Sequence, residues 1–239
     1  MIMWIEFVLF DLDGTLVDTV PGIEYSIREA VSRVLPDRVA PRIRERVGPP
    51  IGCILREEFH DVSPEVLQSL ERAFRESYDT EGWRRSVPYP GVRPLLDGLH
   101  REGYRCYVVT NKPIRPTRLI LGSLGLLDVF EAVISPDCTE PALRSKVDAV
   151  AKLIAEWGLD PARGVLVGDS IDDRRAAHSH GIAFVSADYG YGRPGDEHGV
   201  APVFRLSRIA DLGMFLRLHR DRTSLESWNR STPRRGWEP

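Results

Sequence analysis

The chain is poor in lysine, in cysteine and in long apolar stretches, and each scarcity excludes something. Only three of its 239 residues are lysines, Lys112, Lys146 and Lys152; the remaining basic side chains are arginines. The three cysteines, Cys53, Cys106 and Cys138, are odd in number and form no Cys-x-x-Cys pair. Neither a disulfide framework nor a thiolate zinc site is suggested by that pattern, which points to free thiols in a reducing compartment. No apolar run approaches the ~20 residues of a membrane span. The N-terminus has neither the basic start nor the small-residue cleavage site of a secretory signal, so the expectation is a cytoplasmic protein with no membrane partner. A net charge of −3 leaves no basic footprint for nucleic acid. No internal repeat is present.

What is present suits one α/β body with a smaller insertion: 42% hydrophobic and 28% charged residues. The informative stretch is Phe7-Val8-Leu9-Phe10-Asp11-Leu12-Asp13-Gly14-Thr15-Leu16-Val17-Asp18-Thr19. Its apolar start reads as a buried strand. Residues i and i+2 share a side of an extended chain, so Asp11 and Asp13 can face one cavity. Two such carboxylates are costly together unless a cation or a proton neutralises them. From about residue 18 to 87 the pattern is helical. Turn residues at Pro36-Asp37, Gly48-Pro49-Pro50 and Ser63-Pro64 cut it into roughly four helices.

Beyond residue 88, helical and strand patterns alternate. Short apolar strands at 106–109, 130–134, 165–167 and 182–185 are separated by amphipathic segments, and a last helix is expected over 206–218. This rhythm predicts a Rossmann-like parallel sheet with helices on both faces, with ligands at the carboxyl ends of the strands. The polar clusters sit at those ends: Asp11 and Asp13, then Thr110-Asn111-Lys112-Pro113, then Gly168-Asp169-Ser170-Ile171-Asp172-Asp173. Asp169 and Asp173, four apart at a helix start, stack on one side; Asp172 reads as an ordinary exposed residue. An oxygen-only carboxylate set without His or Cys suits Mg2+ rather than Zn2+.

Asp-Leu-Asp-Gly-Thr-Leu-Val-Asp-Thr resembles the first signature of the haloacid dehalogenase-like hydrolase superfamily, in its phosphatase form. The strand-ending Thr110, then Lys146 in Arg-Ser-Lys-Val-Asp, and Gly-Asp-Ser-x-x-Asp at 168–173 resemble the second, third and fourth in order. The Ser-Lys form of the third signature is similar to the phosphoglycolate phosphatase and 5′-nucleotidase branch. The resemblance implies an α/β core over residues 1–17 and 88–219 and an inserted helical cap over 18–87. From residue 220 to 239 the chain is polar, Arg-rich and Pro-interrupted, and a disordered tail is expected there unless Trp228 or Trp237 pins it to the body or to a second subunit.

The resemblance also implies roles. Asp11 is the nucleophile, forming an aspartyl-phosphate, and Asp13 is the acid/base. Mg2+ is held by the Asp11 carboxylate, the Asp13 backbone carbonyl and Asp169, with Asp173 as an outer partner. Thr110, Asn111 and Lys146 hold phosphoryl oxygens. Arg42, Arg44 and Arg46, before Gly48-Pro49-Pro50, are similar to the substrate-facing cap loop, making Arg46 and Gly48 candidate substrate contacts. Asp13 speaks for phosphoryl transfer over dehalogenation. The lack of any lysine over 18–87 speaks against phosphonatase chemistry and against a mutase. The expected partner is a small phosphorylated metabolite (phosphoglycolate, a nucleoside monophosphate or a sugar phosphate), and the expected protein a monomer or homodimer. The alternatives are a catalytically silent binding protein on the same fold, a pyrophosphatase or a phosphomutase.

Overall fold

The computed structural model describes residues 4–192, 201–217 and 219. Its centre is β1 (Phe7–Phe10), with all four residues buried. A strand buried on both faces has no polar side, so its apolar residues run without interruption. Phe7 and Leu9 point into one core cluster and Val8 and Phe10 into the other, on opposite sides of the sheet. The neighbours repeat this division: Tyr107 and Val109 face the first cluster, Cys106 and Val108 the second.

Five more strands complete the sheet: β4 (Arg105–Val109), β5 (Ala132–Ile134), β6 (Gly164–Gly168), β7 (Ala183–Ala187) and β8 (Phe204–Leu206). The order is β5-β4-β1-β6-β7-β8, and every pairing is parallel. The chain winds outward from β1 in one direction, then returns beside β1 and winds outward in the other. That reversal opens a crevice at the carboxyl ends of β1 and β6. Phe10 is level with Val108 on one side and Val167 on the other, so the residues just beyond these strands meet at one height.

The insertion leaves and returns at one place. β2 (Val17–Asp18) pairs antiparallel with β3 (Val87–Pro88). Between them lie α1 (Val20–Val34), α2 (Ile51–Glu58) and α3 (Pro64–Thr80). These are three α-helices, not four. The stretch over 36–50 contains only one 3-10 turn, Arg44–Arg46. Pro36, Pro41, Pro49 and Pro50 remove amide donors there and push their predecessors out of helical conformation. Ile27, Leu55, Leu70 and Phe74 join the same apolar cluster as Phe10, Leu12 and Leu16, so the insertion shares one face of the core.

The remaining helices are α4 (Val92–Arg101), α5 (Ile114–Ser123), α6 (Lys146–Trp157), α7 (Ile171–Ser179) and α8 over 211–217. Two details differ from the sequence reading. Leu206 ends a sixth strand instead of starting a helix, and the last helix begins five residues later. The third strand starts at Ala132, after a 3-10 turn over Leu127–Val129. The tail over 220–239, with Trp228 and Trp237, lies outside the described residues. Among the described residues no helix is long and apolar enough to cross a membrane.

Candidate active site

Three loops meet at the crevice. β1 delivers Asp11 and, two residues on, Asp13; β4 delivers Thr110; β6 delivers Asp169, and the first turn of α7 delivers Asp173. Asp11, Asp169 and Asp173 are all buried, and one carboxylate oxygen from each lies within 4.8 Å of the other two.

Each carboxylate is held by a different device. Ser170 caps α7 and closes a capping box: its amide and hydroxyl donate to Asp173 Oδ2 at 3.0 and 2.5 Å. The other oxygen of Asp173 accepts from Lys146 Nζ at 2.6 Å, and the same ammonium donates to Asp11 Oδ1 at 2.7 Å. Lys146 is itself the first residue of α6, behind the N-cap Ser145, whose hydroxyl accepts from the Asp148 amide. Asp169 Oδ2 accepts from the amides of Tyr191 and Gly192 at 2.7 and 3.1 Å. The backbone comes so close that a Cβ at Gly14 or Gly190 would stand 2.1 or 2.4 Å from atoms of the Asp169 side chain. Gly14 also has φ +84°, a conformation other residues rarely adopt.

Asp13 stands at the edge of this cluster. Its carboxylate accepts from the Thr19 hydroxyl and from Lys112 Nζ at 2.9 and 3.2 Å. Thr19 begins α1 as its N-cap, yet its hydroxyl makes no cap bond because it is turned to Asp13.

Burial dominates the electrostatics. It raises the pKa of Asp11 well above the usual range, against the pull of Lys146 and with Asp173, Asp169 and Asp13 adding to the rise. Asp169 is pushed up to about 6 by burial and by Asp173, while the amides of Gly192 and Tyr191 work the other way. Burial opposes the charge on Lys146, but Asp11 and Asp173 hold its pKa above the ordinary lysine value. Lys112 behaves likewise: burial opposes its charge, and Asp13 and Tyr78 outweigh it. With all four carboxylates ionised, the two ammonium groups would leave two negative charges uncompensated. The all-oxygen donor set and this deficit fit one hard divalent cation such as Mg2+.

The other candidates fall into two groups. Thr110 is buried beside the cluster, and its hydroxyl accepts from the Lys112 amide at 3.1 Å. Asn111 donates to the Gly48 carbonyl at 3.4 Å and to Asp172 Oδ2 at 3.1 Å, tying the insertion to α7. Asp172, expected to be merely exposed, is therefore half-buried and bonded, because Asn111 reaches it across the crevice. Gly48 lines the cavity above Asp13. Arg46 does not: its guanidinium pairs with Glu58 of α2, away from that cavity.

Sequence reasoning missed Lys112, Thr19 and Tyr191. Lysine scarcity was a signal for Lys112 as much as for Lys146, since two of the three lysines serve this site. Tyr191 gave no signal, because it holds Asp169 through its main chain. Its phenol accepts from the Thr19 amide at 2.6 Å and donates to Asp18 Oδ1 at 2.8 Å, linking Asp169 to the root of the insertion.

The cavity above Asp13 measures about 670 Å3, between α1, α2 and α3 on one side and the loops after β4 and β5 on the other. A smaller cleft of about 350 Å3 lies at the amino ends of β1 and β4, around Trp4 and Tyr104. It is remote from the carboxylates.

Phosphoglycolate phosphatase of Nitrosococcus oceani is 33% identical over 201 residues, 82% of this chain and 87% of its own. Tyrosine-protein kinase PtkA of Mycobacterium tuberculosis is 36% identical over 192 residues, which is 79% of this chain and 64% of the kinase. The solved PtkA structure superposes with a TM-score of 0.75 at 32% identity, covering 89% of this chain and 98% of that one. A predicted phosphoglycolate phosphatase from Haemophilus somnus gives 0.78 at 26% identity, over 90% and 99% of the two chains. Residues 8–187 match a single family throughout. The chain belongs to the haloacid dehalogenase-like hydrolases.

Proposed function

We propose that the protein is a Mg2+-dependent phosphatase of a small phosphomonoester, acting through an aspartyl-phosphate on Asp11. The observation that carries this reading is Lys146, which bonds Asp11 and Asp173 at 2.7 and 2.6 Å inside the carboxylate cluster. It holds one oxygen of the nucleophile, and the other has no hydrogen-bond donor among the described residues.

That second oxygen attacks phosphorus in line with the ester bond, which breaks as the Asp11–phosphate bond forms. Asp13 gives the departing alkoxide its proton. It then takes a proton from the water that attacks the same phosphorus and releases phosphate, restoring Asp11. Asp11, Asp169 and the Asp13 carbonyl would hold Mg2+, with Asp173 behind them. When bound, the ion supplies positive charge against the phosphoryl oxygens, which otherwise meet a site two charges negative once its carboxylates are ionised. Thr110 and Lys146 orient and neutralise the same oxygens. The insertion over 18–87 serves as a cap, with Asn111 and Gly48 on its seam. The relatives named phosphoglycolate phosphatase support the substrate class. A cytoplasmic monomer or homodimer, with no nucleic-acid or membrane partner, is part of this reading.

The test is phosphate release from a panel of small phosphate esters, with Mg2+ and with EDTA, for the native protein and Asp11→Asn. Release that needs Mg2+ and disappears in the variant supports the reading. A folded protein that releases phosphate from no ester contradicts it.

A further inference from the structure

The first turn of α1 is completed without the hydroxyl of its N-cap, Thr19. The Val20 amide donates to Asp18 Oδ1 at 3.1 Å, Pro21 has no amide hydrogen, and the amides of Gly22 and Ile23 both donate to the Thr19 carbonyl at 3.1 Å. A threonine at this position ordinarily accepts one of those amides on its side-chain oxygen. Here the hydroxyl donates to the Asp13 carboxylate instead. Thr19 is fully buried, so its hydroxyl and its amide must both find partners inside the protein.

The amide is satisfied from far along the chain. It donates to the Tyr191 phenol at 2.6 Å, 172 residues away, and the Val20 amide leans on the same oxygen at 3.4 Å. Among the described residues the Thr19 amide has no other acceptor. The phenol gives its own proton to Asp18 Oδ1 at 2.8 Å. Arg44, from the stretch between α1 and α2, pairs with the other Asp18 oxygen at 2.8 Å, and its guanidinium lies 5.6 Å from the centre of the Tyr191 ring. The main-chain amide of the same tyrosine donates to Asp169 Oδ2 at 2.7 Å. Tyr191 therefore touches both sides of the crevice with two different groups. The bond to Asp169 needs only an amide; the bonds to Thr19 and Asp18 need a hydroxyl that accepts and donates at once.

We propose that Tyr191 is a positioning residue for the proton transfer made by Asp13. Its phenol fixes the Thr19 main chain, and the Thr19 hydroxyl so held keeps the Asp13 carboxylate in one orientation beside Asp11 and Asp169. Tyr191 itself touches no substrate atom. This rests on the phosphatase reading and deepens it, by assigning a residue outside the four sequence signatures to the acid/base step.

The experiment exploits the leaving group. An alkoxide departs with a proton from Asp13, whereas p-nitrophenolate departs without one, so a misplaced Asp13 slows the first far more than the second. We would compare kcat/KM, in Mg2+, for p-nitrophenyl phosphate and for an alkyl ester that the native protein hydrolyses (phosphoglycolate or a hexose 6-phosphate). The proteins are native, Tyr191→Phe, Thr19→Val, Thr19→Ser and the double variant Tyr191→Phe with Thr19→Val. Tyr191→Phe removes one oxygen and keeps both the ring and the amide bond to Asp169. It is expected to lower kcat/KM about tenfold on the alkyl ester and less than about twofold on the aryl ester, a part of the roughly 10^2–10^4-fold that a placed acid supplies. Thr19→Val should show the same selective loss, and Thr19→Ser, which keeps the hydroxyl, should restore native values. The double variant should lose no more than the worse single one, since both act through one bonded chain. Equal losses by Tyr191→Phe on the two esters, no loss on either, or losses that multiply in the double variant overturn the inference and leave the phosphatase reading standing. No release from any ester by the native protein overturns both.

Discussion

Lys146 and Asp173 on the floor of the site, and Arg75 and Glu71 on the wall of the cavity, are both cation–carboxylate pairs, at 2.6 and 2.5 Å. Distance does not separate them. The floor pair comes from elements 27 residues apart and is 3% and 0% exposed; the wall pair sits one turn apart on α3 and is 64% and 34% exposed. On the floor, removing either partner strands a charge that water cannot reach. On the wall, water takes the partner's place. The floor is therefore built of groups that cannot change alone, and the wall of groups that can.

The largest expected effect breaks the floor at Asp11, the proposed nucleophile. Asp11→Asn keeps the shape and one acceptor but cannot form the acyl phosphate, so phosphate release should fall at least about 10^4-fold. Rapid-quench assays with a phosphate ester would read this directly. A loss of tenfold or less would show that Asp11 is not the nucleophile. Lys146→Met comes next. It leaves Asp11 and Asp173 buried without their cation, and urea unfolding should show a loss of about 3–5 kcal/mol. Turnover in the folded fraction should drop about 10^2–10^3-fold.

The floor also predicts a pH dependence. Asp169 is pushed up to about 6, and burial raises Asp11 too; unfolded aspartate lies near ~3.9. A group whose folded pKa is raised stabilises the fold below the unfolded value, and that contribution is lost as pH rises through the folded value. In EDTA, stability should therefore fall between about pH 4 and pH 6, by about 3 kcal/mol from Asp169. Mg2+ binds the deprotonated carboxylates, so its gain in melting temperature should be larger at pH 7.5 than at pH 5. An equal gain at both would mean the ion is not held by this cluster.

The same division explains what the sequence made legible. The floor's members announce themselves locally. Phe-Val-Leu-Phe must be a strand buried on both faces, Asp11 and Asp13 follow at its end, and Ser170 with Asp173 encodes a capping box in four residues. The contacts between these segments carry no local pattern. Lys112 reaches Asp13 across 99 residues, and Tyr191 holds Asp169 by an amide that any residue possesses. Arg46 read as a substrate contact from its position in an arginine-rich loop, and its pairing with Glu58 depends on how that loop folds between prolines. β8 was hidden for a related reason: a three-residue strand is too short to show a period.

The smallest expected effect is the sharpest test of the contrast. Arg75→Gln removes a pair as short as the one Lys146 makes. Glu71, once released, is already a third exposed and can be solvated where it stands. Its i,i+4 partner on a helix surface contributes about 0.3–0.5 kcal/mol. Urea unfolding of Arg75→Gln should therefore differ from the native protein by less than about 1 kcal/mol. Raising the salt to 1 M should erase even that difference, since the Debye length there is about 3 Å. The Lys146 pair, shielded from ions by the core, should keep its cost at the same salt. A salt-insensitive loss of several kcal/mol from Arg75→Gln would mean that the wall is built like the floor.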